Sequence, residues 1–195
     1  MYHRDSRTTA LLIIIITSLG HIMAIETPDY HLISKSGDFE IREYAPMVIA
    51  RTEVKSAYKE ATYTGFRRIA NYIFGGNDKQ LNITMTAPVI SNRLEKNHEL
   101  YEVIFVMPKQ HTLKSLPEPD LSNVYLEERK FGKVVSVSFG GWATKNRANH
   151  YKQILQNYMK SQSIDRIGDF MIAQYNSPWV IPPFRKNEIM VRIKE

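Results

Sequence analysis

The sequence predicts an α+β fold: an eight-stranded antiparallel curved sheet or barrel with two flanking helices, built from a tandem ββαββ-type repeat. Three observations lead there. Two segments carry apolar residues at helical spacing, the other apolar residues fall in short β-rich runs, and the order strand, strand, helix, strand, strand occurs twice. One helix and an incomplete sheet cannot bury their apolar faces alone. Two such units are therefore expected to share one sheet, with both helices outside it.

The first 24 residues stand apart from this pattern. Arg4 and Arg7 precede an apolar run, Ala10 to Ile16, that passes through Thr17, Ser18 and Gly20. This is the layout of a signal peptide cut after residue 20 or 24, which leaves a domain over residues 28–195 and places it outside the cell or in a bacterial periplasm. The strictly apolar run is far shorter than the roughly 20 residues that span a bilayer. Retention as an uncleaved anchor is the other reading of the same segment.

From Tyr30 the chain enters its β-rich part. Phe39 to Tyr44 alternates and stops at Ala45-Pro46, and Met47 to Val54 resumes with β-branched residues, so two strands joined by a tight turn are expected. The first helix follows over Ala57 to Phe74. Phe66, Ile69, Ala70 and Ile73 fall at i, i+3, i+4 and i+7 and mark its core side. Another face carries Tyr63, Arg67, Asn71 and Phe74, which mixes two aromatics with a cation and an amide. Gly75-Gly76-Asn77-Asp78 then supplies residues able to end a helix with positive φ. These glycines follow a helix, whereas a dinucleotide loop would precede one.

Leu81 to Ser91 and Leu100 to Met107 read as two strands joined by a charged turn, Asn92 to Glu99, with Pro88 bending the first or holding it at an edge. Pro108 to Ser122 is a loop dividing the halves. The pattern then recurs: Val124 to Arg129, a turn at Lys130 to Lys133, and Val134 to Phe139. A second helix lies between Ala143 and Gln162, its core side marked by Ala148, Tyr151, Leu155 and Tyr158. Asp169 to Tyr175 and Glu188 to Ile193 complete the strands.

Composition narrows the function. The chain has no cysteine, so disulfides and thiolate metal sites are excluded. The net charge of +6 falls to +5 without residues 1–24, and the basic pairs are scattered, which argues against nucleic acid and for a small anionic ligand. No two histidines of the mature domain have the spacing of a helical metal site, and no Gly-x-Ser-x-Gly elbow is present. A non-catalytic binding function remains. The loop Pro178 to Arg185 carries Trp179 and Phe184, which are expected either to cap the open end of the barrel or to wall a groove.

Several ordered motifs resemble the SOUL haem-binding protein family. They are Phe39-Glu-Ile-Arg-Glu-Tyr44, then Gly65-Phe66 with Tyr72-Ile73 and Gly76-Asn77, then Ile83-x-Met85-Thr-Ala-Pro-Val89. Phe105-x-Met107-Pro108, Phe139-x-Gly141, Tyr175-Asn-Ser-Pro178 and Arg185-x-Asn187-Glu188 follow, so the likeness runs over about residues 28–193. The resemblance implies a two-helix barrel and the binding of haem or a related tetrapyrrole in a hydrophobic groove beside the first helix. By position it places Tyr63, Phe66, Arg67, Ala70, Asn71 and Phe74 near the ligand, with Arg67 as partner of a propionate. Some members carry histidine where this chain has Glu43, so iron ligation would fall to His31, Tyr63 or Met85, or to packing alone. The alternative is a binding module for another apolar ligand or a protein partner, similar to bacterial effector-binding domains.

Overall fold

Ile49 and Ile104 face one side of the sheet while Ala50, Val103 and Phe105 face the other, the period-two alternation of strands buried on both faces. In the computed structural model, residues 25–94, 99–177 and 179–194 are described. The expected signal peptide, part of the charged turn before Glu99, and Pro178 lie outside them.

The strands are β1 (Tyr30–Ser36), β2 (Phe39–Tyr44), β3 (Met47–Lys55), β4 (Val89–Arg93), β5 (Leu100–Val106), β6 (Tyr125–Arg129), β7 (Gly132–Phe139), β8 (Arg166–Gln174) and β9 (Asn187–Ile193). Helix α1 spans Tyr58–Ile73 and α2 spans Lys145–Ser161. One antiparallel sheet contains all nine strands in the order β1-β2-β7-β9-β8-β4-β5-β3-β6. It is a half-barrel, open at β1 and β6. The expected count of eight is corrected to nine, because Tyr30–Ser36 adds an edge strand whose residues are all exposed. With no buried side, it has no hydrophobic alternation to announce it.

Two further expectations are corrected. β2 and β3 do not pair with each other: β2 pairs with β7, and β3 pairs with β5 and β6. A two-residue hairpin needs positive φ at its turn, and Pro46 is fixed near −65°, so the chain crosses to the other half. The strand expected from Leu81 begins only at Val89. Before it, Pro88 lacks an N–H, the Thr86 hydroxyl donates to the Val106 carbonyl (2.5 Å), and the Ala87 N–H donates to the Glu26 carbonyl (2.8 Å). In the second half β6 and β7, expected to follow one another through a turn, likewise do not pair: β6 joins β3, and β7 joins β2 and β9, whereas β4 pairs with β5 and β8 with β9.

Helix α1 packs on β3 and β5, and α2 on β7 and β9. The buried residues of α1 are Ala61, Gly65, Ile69, Tyr72 and Ile73, so its core side is centred slightly away from the expected one and leaves Phe66 and Ala70 half-buried. Tyr72 belongs inside because its hydroxyl donates to the Pro117 carbonyl (3.0 Å). Gly75, at φ +100°, ends the helix as expected. On α2, Ala148, Leu155 and Met159 are buried, while Tyr151 stacks on Phe139 and Tyr158 on Phe39 with centroids 4.4 and 4.0 Å apart.

The loop after β8 neither caps the half-barrel nor buries its aromatics. Trp179 is 90% exposed and Phe184 72%, because the chain there makes only a short 3-10 turn, Pro182–Phe184, with no buried residue.

Gly65 sits where α1 lies tight against β5: a Cβ placed on it would lie 2.7 Å from Val103 Cβ. Gly65→Ala should therefore lower the thermal midpoint. The overpacking cost of about 1–3 kcal/mol exceeds the gain of about 1 kcal/mol from replacing glycine inside a helix. A midpoint equal to or above that of the wild type would show that α1 can lift from β5 freely.

Candidate functional site

The exposed side of α1 follows from its period. Tyr63, Arg67, Asn71 and Phe74 recur about one turn apart on the side opposite Ile69 and Ile73, and all four are exposed. The Arg67 guanidinium lies 5.7 Å from the centre of the Tyr63 ring. Arg68, one position on, turns inward: its Nη1 donates to the Glu53 carbonyl (2.9 Å) and to Thr52 Oγ1 (3.3 Å). Phe66 and Ala70 flank the stripe, and Phe66 rests on Phe105 with centroids 5.4 Å apart. Asn71 is drawn toward the helix end, where its carbonyl accepts from the Gly76 N–H (2.8 Å) and its side chain lies across the Gly76 Cα. The six residues singled out from the sequence thus share one side of α1 as a ridge.

The three possible iron donors lie far apart in character. His31 is exposed on β1, opposite Glu43 in the strand register, and Tyr63 is exposed on the α1 stripe. Met85 is half-buried and packs into the core beneath α1. Among the described residues, no group of three or more His, Asp or Glu is placed to hold a metal ion.

The concave side of the sheet holds a second feature, which sequence reasoning missed. Arg42 of β2 reaches over β7 to Glu188 of β9 and forms a two-pronged ion pair, Nη1 to Oε2 at 2.9 Å and Nη2 to Oε1 at 2.7 Å. Glu188 is 0% exposed and Arg42 1%. The Tyr175 hydroxyl donates to Glu188 Oε2 (2.8 Å), Lys186 Nζ lies 3.2 Å from Oε1, and Arg42 also donates to the Tyr44 hydroxyl (3.1 Å) and to Glu40 (2.7 Å). Burial opposes ionisation of Glu188, but the hydrogen bonds and charge of Arg42 outweigh it and hold the carboxyl below its ordinary range. Burial also pushes Tyr175 far above the ordinary phenol range, with the Glu188 charge next. Both tyrosines stay neutral.

Beside this network opens an apolar cavity of about 300 Å³, lined by Tyr30, Tyr44, Phe131, Tyr175 and Met190 with Lys186 as its cation. At the opposite end of the sheet the same arrangement recurs. Arg129 of β6 reaches over β3 to Glu102 of β5 with prongs of 2.9 and 2.8 Å, and also pairs with Glu127 two residues earlier, as Arg42 does with Glu40. The signal available in the sequence was Glu-x-Arg, present at Glu40 and Arg42 and again at Glu127 and Arg129.

Between the helices, over the convex side, lies a cleft of about 440 Å³ that reaches Tyr58, Ser91, Tyr101 and Phe170 and is rimmed by Arg93, Lys145 and Lys152. Its residues come from six elements, so no local pattern marks them.

Known proteins resemble the chain along most of its length. A family model described as SOUL heme-binding protein matches residues 25–192. Heme-binding protein 2 of Homo sapiens is 29% identical over 167 residues, covering 80% of each chain. Heme-binding protein 1 of Xenopus laevis is 26% identical over 174 residues, covering 85% of this chain and 90% of its own. Among solved structures, the EcmrR C-terminal domain aligns with a TM-score of 0.60 at 10% identity, over 85% of this chain and 98% of that one. A Listeria innocua protein described as a hydrolase aligns with a TM-score of 0.57 at 14% identity, over 83% and 94%. At such identities the structures share the fold alone.

Glu188→Gln should destabilise the fold by about 3–5 kcal/mol, because it strands the buried Arg42 charge. Urea denaturation of that variant beside Arg42→Met/Glu188→Met measures this; the double variant should lose less, and an equal or greater loss would remove the ion pair as the cause. The pH sign follows from the depressed carboxyl. Its contribution is complete above the ordinary glutamate range and fades as pH falls through the lowered folded value. The double variant should therefore show a flatter midpoint-against-pH curve on the acid side.

Proposed function

Since its family model spans most of the chain, this protein belongs to the SOUL heme-binding protein family, and on that premise we propose that it binds haem or a related tetrapyrrole without altering it chemically. The observation that carries the site is the contrast between two adjacent arginines. Arg68 is committed to β3, whereas Arg67 has only the Tyr63 ring beside it among the described residues. A flat macrocycle laid along α1 would meet Tyr63 and Phe74, with Phe66 and Ala70 at its inner border. Arg67 would meet a propionate in a charge-assisted hydrogen bond.

A bound haem would bring its own redox and ligand-binding chemistry; the chain's part is to hold and orient the ring. Met85 is taken up by packing beneath α1, which leaves Tyr63 within the stripe and His31 at the sheet edge as surface donors. Binding by packing and by Arg67 needs neither. In this reading the protein is a carrier, buffer or sensor, exported by way of residues 1–24 to a periplasm or beyond the cell.

The tandem-repeat reading belongs with this proposal. Leaving out β1, the sheet order is unchanged when read from the other end with β2 exchanged for β6, β3 for β7, β4 for β8 and β5 for β9. The two Glu-x-Arg strands, each forked onto a glutamate of the other half's last strand, support it further. A second reading rests on the concave cavity of about 300 Å³, whose aromatic and methionine walls suit an apolar ligand smaller than a macrocycle.

Titrating the purified protein with haemin should give a saturable Soret change at micromolar concentrations. Arg67→Glu should weaken it roughly tenfold or more, the loss expected for one hydrogen bond between charged groups. Lys160→Glu, an equal charge change on α2, should leave it unaltered. Absence of saturation would sink the haem reading; equal affinities for the two variants would move the site away from α1.

A further inference from the structure

Helix α1 packs mainly on β3 and β5, and α2 on β7 and β9, so among the described residues no helix is centred on the seam where β8 meets β4. The cleft of about 440 Å³ lies on this seam. At its floor Ser91 of β4 pairs in register with Ile172 of β8. Ser91 is 3% exposed, and its hydroxyl lies near the Tyr58 phenol but makes no hydrogen bond within normal limits of distance and angle. A buried hydroxyl without a partner costs about 1–3 kcal/mol, so a ligand acceptor reaching it would recover that loss.

The walls are aromatic: Tyr58 and Tyr101, with ring centroids 5.8 Å apart, and Phe170. The Tyr58 hydroxyl donates to the Ala143 carbonyl (3.0 Å), and burial raises its pKa to about 12, so the wall stays uncharged. The rim is basic. Arg93, Lys145 and Lys152 border the cleft, Lys152 Nζ lies 4.8 Å from the Phe170 ring centre, and among the described residues no carboxylate lines it. The cleft continues past Tyr58 and Lys145 into a space lined by one acid among the described residues, Glu99, itself 3.1 Å from Lys55 Nζ. Tyr58 is also the first residue of α1, whose N-cap position, Ala57, offers no side-chain acceptor to the free N–H groups of the first turn.

We propose that this cleft is a second binding site, separate from the α1 stripe, for an amphipathic aromatic anion: a ring system bearing a carboxylate, sulfonate or phosphate. The rings pack against Tyr58, Tyr101 and Phe170. The anionic group meets Lys145 and Lys152, and an acceptor on the ligand takes the hydrogen of Ser91 Oγ.

The probe is 8-anilinonaphthalene-1-sulfonate, followed by fluorescence on the folded protein, beside its uncharged counterpart N-phenyl-1-naphthylamine. The sulfonate should bind saturably, at least tenfold more weakly to Lys145→Glu/Lys152→Glu, roughly fivefold more weakly to Ser91→Ala, and unchanged to Arg67→Glu. The uncharged compound should respond little to the charge reversal. Equal sulfonate binding by the wild type and the double lysine variant overturns the proposal, and so does an equal loss for both compounds or a matching loss in Arg67→Glu. Because the lysines are surface residues, circular dichroism of the double variant should match the wild type. The stripe and the cleft share no residue, so a failed haemin titration leaves this outcome independent.

Discussion

The ion pair between Arg42 and Glu188 decides how the strands can be arranged. Both groups are removed from water, and neither charge is tolerable there alone. Arg42 stands on β2 and Glu188 on β9, with β7 between them, so the pair forms only when β2 has crossed to the far side of β7. A local β2–β3 hairpin would leave an arginine and a glutamate buried without their partners. The fork from Arg129 over β3 to Glu102 imposes the same condition on β6. Each half therefore holds the other's leading strand, and the choice of partner strand rests on charge as much as on apolar burial.

From that exchange the rest of the architecture follows. With β2 and β6 placed at the flanks, the last two strands of each half meet at the centre, β4 against β8. Each helix follows the second strand of its own half and lies back over that strand and its neighbour, which keeps both helices off the centre. The convex seam is left with a serine and aromatic side chains in place of a helix. On the concave side, the pair that fixes β2 also furnishes the neutral tyrosines of the apolar cavity. Structural charge and candidate binding surface are in this way two results of one strand order.

The helices were legible in the sequence because their periodicity is local: Ile69 and Ile73, or Ala148 and Leu155, repeat within a few turns. Strand pairing was less so. Phe39 to Tyr44 and Met47 to Val54 read as strands, but which strand each would join depends on residues far along the chain, as in the pairings of Arg42 with Val134 and of Ile49 with Val106. The proline at position 46 was the available hint that no hairpin closes there. β1 escaped notice because every residue of it is exposed. The α1 stripe was readable from one helix, whereas Ser91, Lys145 and Lys152 come together only through the fold. Arg42 and Glu188 were quoted as parts of two motifs, yet nothing in either motif says that they touch.

Arg67 and Arg68 show how one step along a helix can separate structure from function. The turn of about 100° between them brings the Arg68 guanidinium to Thr52 and Glu53 of β3 and sends that of Arg67 to solvent. A single exposed aromatic needs no explanation. Tyr63 and Phe74, however, are 59% and 61% exposed on the same side as Arg67, on a helix whose other residues already satisfy the core. Stability alone would be served as well by polar residues at these positions, since neither ring is counted in any apolar cluster of the core. What the pair of rings offers beyond polar side chains is apolar area beside a cation with no carboxylate partner among the described residues, which is the combination that a flat, carboxylate-bearing ligand can use.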